Sequence, residues 1–357
     1  MTDKGQLAQF KKDQRGGPKL SRSSWAPNFM LLALKPLGVC LLVVHLAGCA
    51  TSTTADVPVA SNQVVQSGAQ LESPMKLPLD IRAELSSGEV PAGTLVLITL
   101  HLPEGVQAPA VNQGNQEDSS NQAVFSGEFE GTSFSFFTAP DLGPQVYEAV
   151  LGIPYERKPG KAVIQVRGEQ NLEIPFKVID GHYPSETLHV DGRRVNPTKK
   201  KDLIRIKKEF MEVAAIYKRV TPKKYWSGRF SYPIQSSVTS VFGGKRVYNG
   251  SLKNYHPGLD LKAPMRTPVY SPAPGIVVLA KNLFYTGNTV MIDHGYGVIT
   301  LYAHMTELKV KKDDIVGKER LLGLSGKTGR VTGPHLHWQA VVNHVKVNPI
   351  GLTEVMR

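Results

Sequence analysis

Short apolar or alternating runs, separated by turn residues, fill the chain from residue 77 to residue 180. This pattern is typical of β-strands, because alternate side chains of a strand face opposite sides of a sheet. The clearest predicted strands cover residues 95–102, 133–137, 162–167 and 172–179. Short strands with Gly and Pro between them predict an immunoglobulin-like β-sandwich over residues 77–180.

A different period follows in the connector, residues 181–228. Between residues 198 and 220, large apolar side chains recur every three or four positions, which predicts one amphipathic helix. The predicted apolar stripe consists of Leu203, Ile206, Phe210, Val213 and Tyr217. Such a basic helix can lie on an anionic membrane or pack its stripe against a neighbouring domain, and we expect the second.

Residues 229–357 return to short strands, predicted at 268–270, 275–280, 288–293 and 297–302. Gly and Pro occupy the turns between them, and no run is long and periodic enough for a helix. This region is therefore predicted to be an antiparallel β-domain. The whole chain is expected to be mainly β, with one connecting helix.

Three runs in this last region bring together the side chains that bind zinc. They are His256 to Asp260, Tyr302 to His304, and Thr332 to Trp338. A catalytic zinc site uses three imidazole or carboxylate ligands and keeps a fourth position for water. His335 and His337 are two residues apart, so on a strand both face one side, where one could bind the metal and the other could reach its water.

The sequences that surround these runs are more specific than the histidine spacing. They are Ser240-Val-Phe-Gly, His256-Pro-Gly-Leu-Asp-Leu, Asp293-His-Gly-Tyr-Gly, Leu301-Tyr-Ala-His and Gly326-Lys-Thr-Gly-Arg-Val-Thr-Gly-Pro-His-Leu-His-Trp. With them, residues 228–349 resemble the LytM/lysostaphin-type zinc endopeptidases, which cut peptide bridges in bacterial cell walls. The resemblance implies that residues 229–357 form a zinc metallopeptidase domain.

The resemblance also implies roles for individual residues. One Zn²⁺ per chain would be held by His256, Asp260 and His337, and the catalytic histidines would be His304 and His335. Three weaker candidates for substrate binding are Arg246, Asn249 and Tyr302, although a strand tyrosine often serves only in packing. Neither His run contains a Glu, which excludes a zincin-type helix with a glutamate base.

The expected partner is therefore the peptide of peptidoglycan, and the expected reaction is hydrolysis of its crosslinks. A direct D-Ala to diaminopimelate link and a polyglycine bridge are both open, and the first fits a host with two membranes. The alternative function is a non-catalytic activator of a cell-wall amidase. Retention of all five site residues favours the enzyme.

The N-terminus resembles that of a bacterial lipoprotein. Six Lys or Arg between Lys4 and Arg22 precede an interrupted apolar run, and Leu46-Ala47-Gly48-Cys49 resembles the lipoprotein cleavage box. We predict a signal peptide over residues 1–48, membrane attachment through lipidated Cys49, and an outer-membrane location facing the periplasm. An uncleaved anchor with a stray cysteine, or translation from Met30, are the alternatives.

Composition refines this picture only slightly. Residues 49–76 are rich in Ser, Thr, Gln, Ala and Val, which predicts a flexible tether. The formal net charge of +12 is compatible with an anionic partner or with ordinary solubility, and no interleaving of basic and aromatic residues points to nucleic acid. The β-sandwich is expected to act as a spacer, with autoinhibition and partner binding as alternatives.

Overall fold

The computed structural model of the chain describes residues 81–103, 123–167, 171–188, 197–248 and 252–356. All of these residues belong to one compact unit. The predicted signal peptide, Cys49 and the predicted tether lie outside the described residues, so their assignments stay predictions. None of the described helices has the length and apolar character that a membrane crossing requires.

Eight strands build an N-terminal sheet in the order β1-β3-β6-β5-β4-β7-β8-β2, and all neighbours are antiparallel except the β2–β8 pair. They run in a single hydrogen-bonded path, whereas an immunoglobulin fold divides its strands between two sheets. The immunoglobulin-like arrangement is thus not confirmed, although the β-class is. The strands are β1 (Arg82–Leu85), β2 (Glu89–Pro91), β3 (Leu95–His101), β4 (Ala123–Phe129), β5 (Thr132–Thr138), β6 (Val146–Gly152), β7 (Gly160–Arg167) and β8 (Leu172–Ile179).

Strand alternation explains the core of this sheet. In β7, Ala162, Ile164 and Val166 are buried, while the residues between them are exposed. In β8, buried Ile174 and Phe176 alternate with exposed residues in the same way. Because alternate side chains face opposite sides of the sheet, one face of each strand joins a common apolar cluster.

The C-terminal region is also mainly β. Its large sheet has the order β10-β13-β21-β17-β16-β15-β19, with β22 paired to β21, and two three-stranded sheets have the orders β12-β11-β9 and β14-β20-β18. The strands are β9 (Ser185–Leu188), β10 (Val238–Ser240), β11 (Lys245–Tyr248), β12 (Leu252–Tyr255), β13 (Leu259–Lys262), β14 (Pro268–Tyr270), β15 (Gly275–Leu283), β16 (Gly287–Asp293), β17 (Val298–Met305), β18 (Glu307–Leu308), β19 (Ile315–Val316), β20 (Leu321–Leu324), β21 (His335–Val342) and β22 (Val345–Val347).

Helix α1 (Lys200–Tyr217) confirms the predicted helix, but the predicted buried stripe is partly wrong. Ile216 is buried against the large sheet, and Val213 and Tyr217 pack beside it. Leu203 and Phe210, however, are 48% and 72% exposed. A second, short helix, α2 (Ile350–Val355), lies at the C-terminal end of the described chain.

Polar contacts explain why α1 turns a different face to the sheet. Glu209 accepts hydrogen bonds from the backbone N–H of Phe284 and from Arg205. Glu212 forms an ion pair with Lys281 on β15. These carboxylates face the sheet edge and take the place that a purely apolar pattern assigns to Leu203 and Phe210.

The N-terminal sheet packs directly on the C-terminal one. Phe137 stacks on Tyr296 with ring centroids 3.9 Å apart, and the amide of Asn343 donates to the carbonyl of Val150 at 2.7 Å. Buried Ala340 and Val342 belong to the apolar cluster that contains Phe137 and Tyr296. Residues 340 and 342 are separated from His337 by odd numbers of positions on β21, so their side chains face the opposite side of the sheet. The N-terminal sheet therefore contacts the face opposite to His337.

Candidate metal centre

Strand register places Asp260 and His337 side by side. Asp260 on β13 pairs directly with His337 on β21, and Ala303 on β17 pairs with His337 from the other side. Paired residues of neighbouring antiparallel strands project from the same face of a sheet. The carboxylate and the imidazole therefore share the face that α1 covers further along the sheet.

His256 reaches the same point from the loop before β13, and its ring is fully buried. Its Nδ1 lies 3.0 Å from the carbonyl oxygen of Val241 and 3.1 Å from Oγ of Ser240. A carbonyl can only accept, so Nδ1 carries the proton. In the neutral ring, Nε2 then presents a lone pair, as a metal-ligating histidine requires.

The three candidate ligand atoms converge. His256 Nε2 lies 2.9 Å from Asp260 Oδ1 and 3.0 Å from His337 Nδ1, and His337 Nδ1 lies 2.8 Å from Asp260 Oδ1. In a tetrahedral zinc site with bonds near 2.0 Å, ligand atoms are about 3.3 Å apart, so this triangle fits one small cation. The lone pair of His256 Nε2 faces a carboxylate oxygen, and a cation between them would stabilise that arrangement.

The charge of Asp260 agrees with this arrangement. Burial by itself would raise the pKa of its carboxyl group, but the contacts with His256 and His337 hold that pKa well below its usual range. Asp260 is therefore ionised at neutral pH. A buried carboxylate beside two imidazoles supplies the N/O donor set that zinc accepts.

His304 reaches this group through an unusual backbone conformation. Extending the β17–β21 register by one residue would pair His304 with Leu336, which faces the apolar core. Instead, His304 has φ of 64°, in the left-handed region, and this turn directs its ring towards His335 and His337. The ring centroids lie 4.9 Å and 5.9 Å away, respectively.

Backbone carbonyls orient both of the remaining histidines. His304 Nδ1 donates to Thr328 O at 2.8 Å, and His335 Nδ1 donates to Gly333 O at 2.9 Å. Each neutral ring therefore keeps Nε2 as a proton acceptor, and His335 Nε2 lies 3.8 Å from Asp260 Oδ1. Burial, together with His337 and His335, lowers the pKa of His304 to about 3, which keeps that ring neutral.

Comparison with known proteins identifies this region. The sequence profile of Peptidase family M23 matches residues 254–349. This range contains the three candidate ligands and both of the other histidines of the site. A crystal structure from Pseudomonas aeruginosa, assigned to peptidase M23, is 30% identical with a TM-score of 0.51 and aligns over 64% of this chain and 87% of its own. The chain belongs to peptidase family M23. The resemblance to LytM/lysostaphin-type endopeptidases is confirmed at this level.

Two curated proteins are similar to this chain over about 120 residues. The peptidoglycan DD-endopeptidase ShyA of Vibrio cholerae is 41% identical over 120 residues, and the DD-carboxypeptidase/endopeptidase Mpg of Neisseria meningitidis is 42% identical over 119 residues. Each alignment covers 33% of this chain, but only 28% and 27% of the relatives' own lengths. The M23 chain thus matches little more than a quarter of either relative.

The structure bears differently on the three weaker candidates for substrate binding. Tyr302 is fully buried, and its hydroxyl group lies 2.8 Å from Thr300 Oγ1. It pairs with Trp338, on the opposite face from His337, so the structure favours a packing role and not contact with substrate. Arg246 lies on β11 opposite Asn254, and its role stays a prediction. Asn249 lies outside the described residues.

One feature of the M23 site was not found from the sequence. The carbonyl groups of Val241, Thr328 and Gly333 fix the histidine tautomers, and backbone atoms leave no residue-type signal. Outside the site, His294 is a fully buried residue of the same domain. Its Nδ1 donates to Pro274 O at 2.7 Å, and its Nε2 accepts from Thr300 Oγ1 at 2.8 Å, so it is part of the core.

Proposed function

We propose that this chain is a zinc-dependent endopeptidase that hydrolyses the peptide crosslinks of bacterial peptidoglycan. The convergence of His256, Asp260 and His337, with His304 and His335 beside them, carries the proposal. The names of the two curated relatives, a DD-endopeptidase and a DD-carboxypeptidase/endopeptidase, support the same class of substrate. The bond that we propose is the D-Ala to diaminopimelate link.

In this proposal, His256, Asp260 and His337 hold one zinc ion. Bound zinc supplies a Lewis acid that polarises the peptide carbonyl and lowers the pKa of a water molecule. The ionised Asp260 offsets part of the positive charge. His256 is held in the ligating tautomer by its hydrogen bond to Val241, so it needs no proton rearrangement when metal binds.

His304 and His335 handle the protons. Each donates its Nδ1 proton to a backbone carbonyl and presents a neutral Nε2 to the space beside the ligands. Either Nε2 can accept the proton of the attacking water as the new C–O bond forms, and return a proton to the amine as the C–N bond breaks. The fixed carbonyl partners keep both rings oriented throughout.

The site of action follows from the N-terminal prediction. We propose that Cys49 carries the lipid and that the protein resides in the cell envelope, on the outer membrane facing the periplasm. The Leu46-Ala47-Gly48-Cys49 sequence and the following Ala50 support this location. A lipid anchor would keep the enzyme next to its polymer.

The test uses the full chain and a defined crosslinked muropeptide dimer, with products identified by mass spectrometry. We expect cleavage to two monomers, loss of cleavage with a chelator, and recovery with added zinc. The His304→Ala variant should lose about 10²- to 10⁴-fold in kcat and retain its zinc, because it removes a proton acceptor and no ligand. His344→Ala is the matched control, since His344 is exposed and contacts the carbonyl group of Tyr217.

The same experiment separates the enzyme from an amidase activator. Zinc-loaded protein that leaves the dimer intact but stimulates a cell-wall amidase would contradict the endopeptidase proposal. Cleavage that persists in His304→Ala at the wild-type rate would contradict the assigned role of His304 alone.

A further inference from the structure

Helix α1 exposes an apolar surface that none of the described residues covers. Four large side chains on its outer side are between 48% and 72% exposed: Leu203, Ile204, Phe210 and Met211. Their spacing of one and seven residues places them on one side of the helix, over two turns. We call these four side chains, together with Lys200, Lys201, Lys207 and Lys208, the outer face of α1.

The charges of α1 are divided between its two sides. Lys200, Lys201, Lys207 and Lys208 are exposed on the outer half of the helix. The carboxylates of α1 lie towards the sheet, where Glu209 bonds the backbone of Phe284 and Glu212 pairs with Lys281. Asp202, on the same side as Glu209, is only partly exposed. The outer face therefore combines apolar side chains with positive charge and no carboxylate.

We propose that the outer face of α1 binds the surface of an anionic lipid bilayer. Phe210, Met211, Leu203 and Ile204 would enter the boundary between headgroups and acyl chains. The lysines would extend to the lipid phosphates, because a long aliphatic side chain can keep its ammonium group in the polar layer. This surface is separate from the metal centre, so the proposal does not depend on the reaction that the centre catalyses.

Charge complementarity selects this occupant over others. A second copy of α1 would place lysines against lysines, which is unfavourable. An anionic polysaccharide or nucleic acid would satisfy the lysines but would leave the four apolar side chains without an apolar partner. A bilayer with acidic lipids supplies a negative surface and a hydrocarbon layer together.

Two exposed methionines among the described residues allow a local test. Met211 lies on the outer face and is 62% exposed, whereas Met265, in the loop between β13 and β14, is 44% exposed. Neither β13 nor β14 contributes to the apolar cluster on which α1 packs. Peroxide oxidises exposed methionine to the sulfoxide, which mass spectrometry quantifies at each site. The full chain is oxidised alone, with phosphatidylcholine vesicles, and with vesicles that also contain phosphatidylglycerol.

We expect the anionic vesicles to slow oxidation of Met211 and to leave Met265 unchanged, while neutral vesicles protect neither. The Lys200→Gln, Lys207→Gln, Lys208→Gln triple variant should bind the anionic vesicles on the order of a hundredfold more weakly, since each lysine contributes separately. Phe210→Ser should also reduce the protection of Met211. A matched Lys158→Gln, Lys161→Gln, Lys177→Gln variant, which removes three exposed charges from the N-terminal sheet and the loop before β7, should behave as the wild type.

Three results would overturn the proposal. Met211 and Met265 could be protected equally, which would mean that another part of the chain binds the vesicle. Met211 could be protected without vesicles at high protein concentration, which would assign the outer face to a second copy. Without vesicles, Met211 could also be oxidised more slowly than Met265 at every protein concentration, which would mean that another segment of this chain covers Met211.

Discussion

Single backbone carbonyls set the chemistry of the candidate site. Val241, Thr328 and Gly333 accept the Nδ1 protons of His256, His304 and His335, respectively. Each ring is therefore held in one tautomer and one orientation, with Nε2 turned towards the site, where it can bind a metal or accept a proton. The residue types alone do not determine which nitrogen faces the site.

Gly258 provides room for His337. A Cβ atom at this position would lie 2.6 Å from the carbonyl oxygen of Trp338 and 2.7 Å from the ring of His337. We expect Gly258→Ala to displace that ring and to weaken zinc binding by about 10- to 100-fold, measured by competition with a chelator. Gly317→Ala is the control, because its Cβ would meet nothing within 4 Å. Equal zinc affinity in both variants would contradict this role for Gly258.

His294 predicts a pH dependence of stability. Burial lowers its pKa from 6.5 to about 4 in the folded chain. The imidazole of His294 binds a proton more tightly in the unfolded chain than in the folded one. Its contribution to the free energy of unfolding is therefore fully present above pH 6.5 and falls as the pH is lowered towards 4. The resulting loss between about pH 7.5 and about pH 5 is roughly 2 kcal/mol.

Urea unfolding of the wild type and of His294→Gln at both pH values measures this contribution. Glutamine keeps hydrogen-bonding groups but does not titrate. The variant is less stable at neutral pH, yet its loss of stability on acidification should be smaller than that of the wild type by about 2 kcal/mol. An identical loss in both proteins would mean that His294 is not held neutral by the fold.

At the scale of elements, the hydrophobic pattern predicts position better than orientation. The predicted strands at residues 268–270, 275–280 and 288–293 correspond to β14, β15 and β16, because short apolar and β-branched runs between Gly and Pro are visible in the local sequence. The His335 and His337 pair also lies on a strand, as its spacing predicts. The left-handed turn at His304, which changes the face of its ring, has no comparable signal, since it depends on the neighbouring loop.

Helix α1 illustrates the same limit. Its apolar period predicts a helix, but two alternative faces satisfy that period, and the carboxylates of Glu209 and Glu212 decide between them through contacts with β15 and the residue after it. Those partners are about 70 residues away in sequence. A local pattern of hydrophobic residues does not include contacts over this distance.

The orientation of α1 can be tested by two truncations. Ile216→Ala removes a buried side chain and should reduce the free energy of unfolding by about 2–5 kcal/mol. Phe210→Ala removes an exposed side chain and should change it by less than about 0.5 kcal/mol. Urea unfolding of the two variants gives both values. A larger loss of stability in Phe210→Ala than in Ile216→Ala would mean that the apolar stripe predicted from the sequence is the buried face after all.

For the whole molecule, the N-terminal sheet is packed directly against the M23 domain. It packs on the sheet face opposite to His337 through Phe137 and Tyr296. A second contact, the stacking of Tyr155 on Tyr255 at 4.2 Å, holds the residue that precedes His256. This placement favours spacing or support over a role in covering the metal centre.

Coupling between the two sheets predicts a shared unfolding transition. Phe137→Ala removes a buried ring from the interface and should reduce stability by about 3–5 kcal/mol. Trp226 and Trp338 lie in the C-terminal region, so their fluorescence should report the lower midpoint although the substitution is in the N-terminal sheet. Val163→Ala, at an exposed position of the same sheet, is the control. A fluorescence transition unchanged by Phe137→Ala would mean that the sheets unfold independently.

We propose that one zinc ion is held by two imidazoles and a carboxylate from two separate segments of the chain, residues 256–260 and the strand that carries His337. Anomalous diffraction at the zinc edge, from crystals of the zinc-loaded protein, would locate the ion. We expect one strong peak per chain, in contact with His256 Nε2, Asp260 Oδ1 and His337 Nδ1. A fully loaded crystal with no peak between these atoms, or with its zinc bound elsewhere, would contradict it.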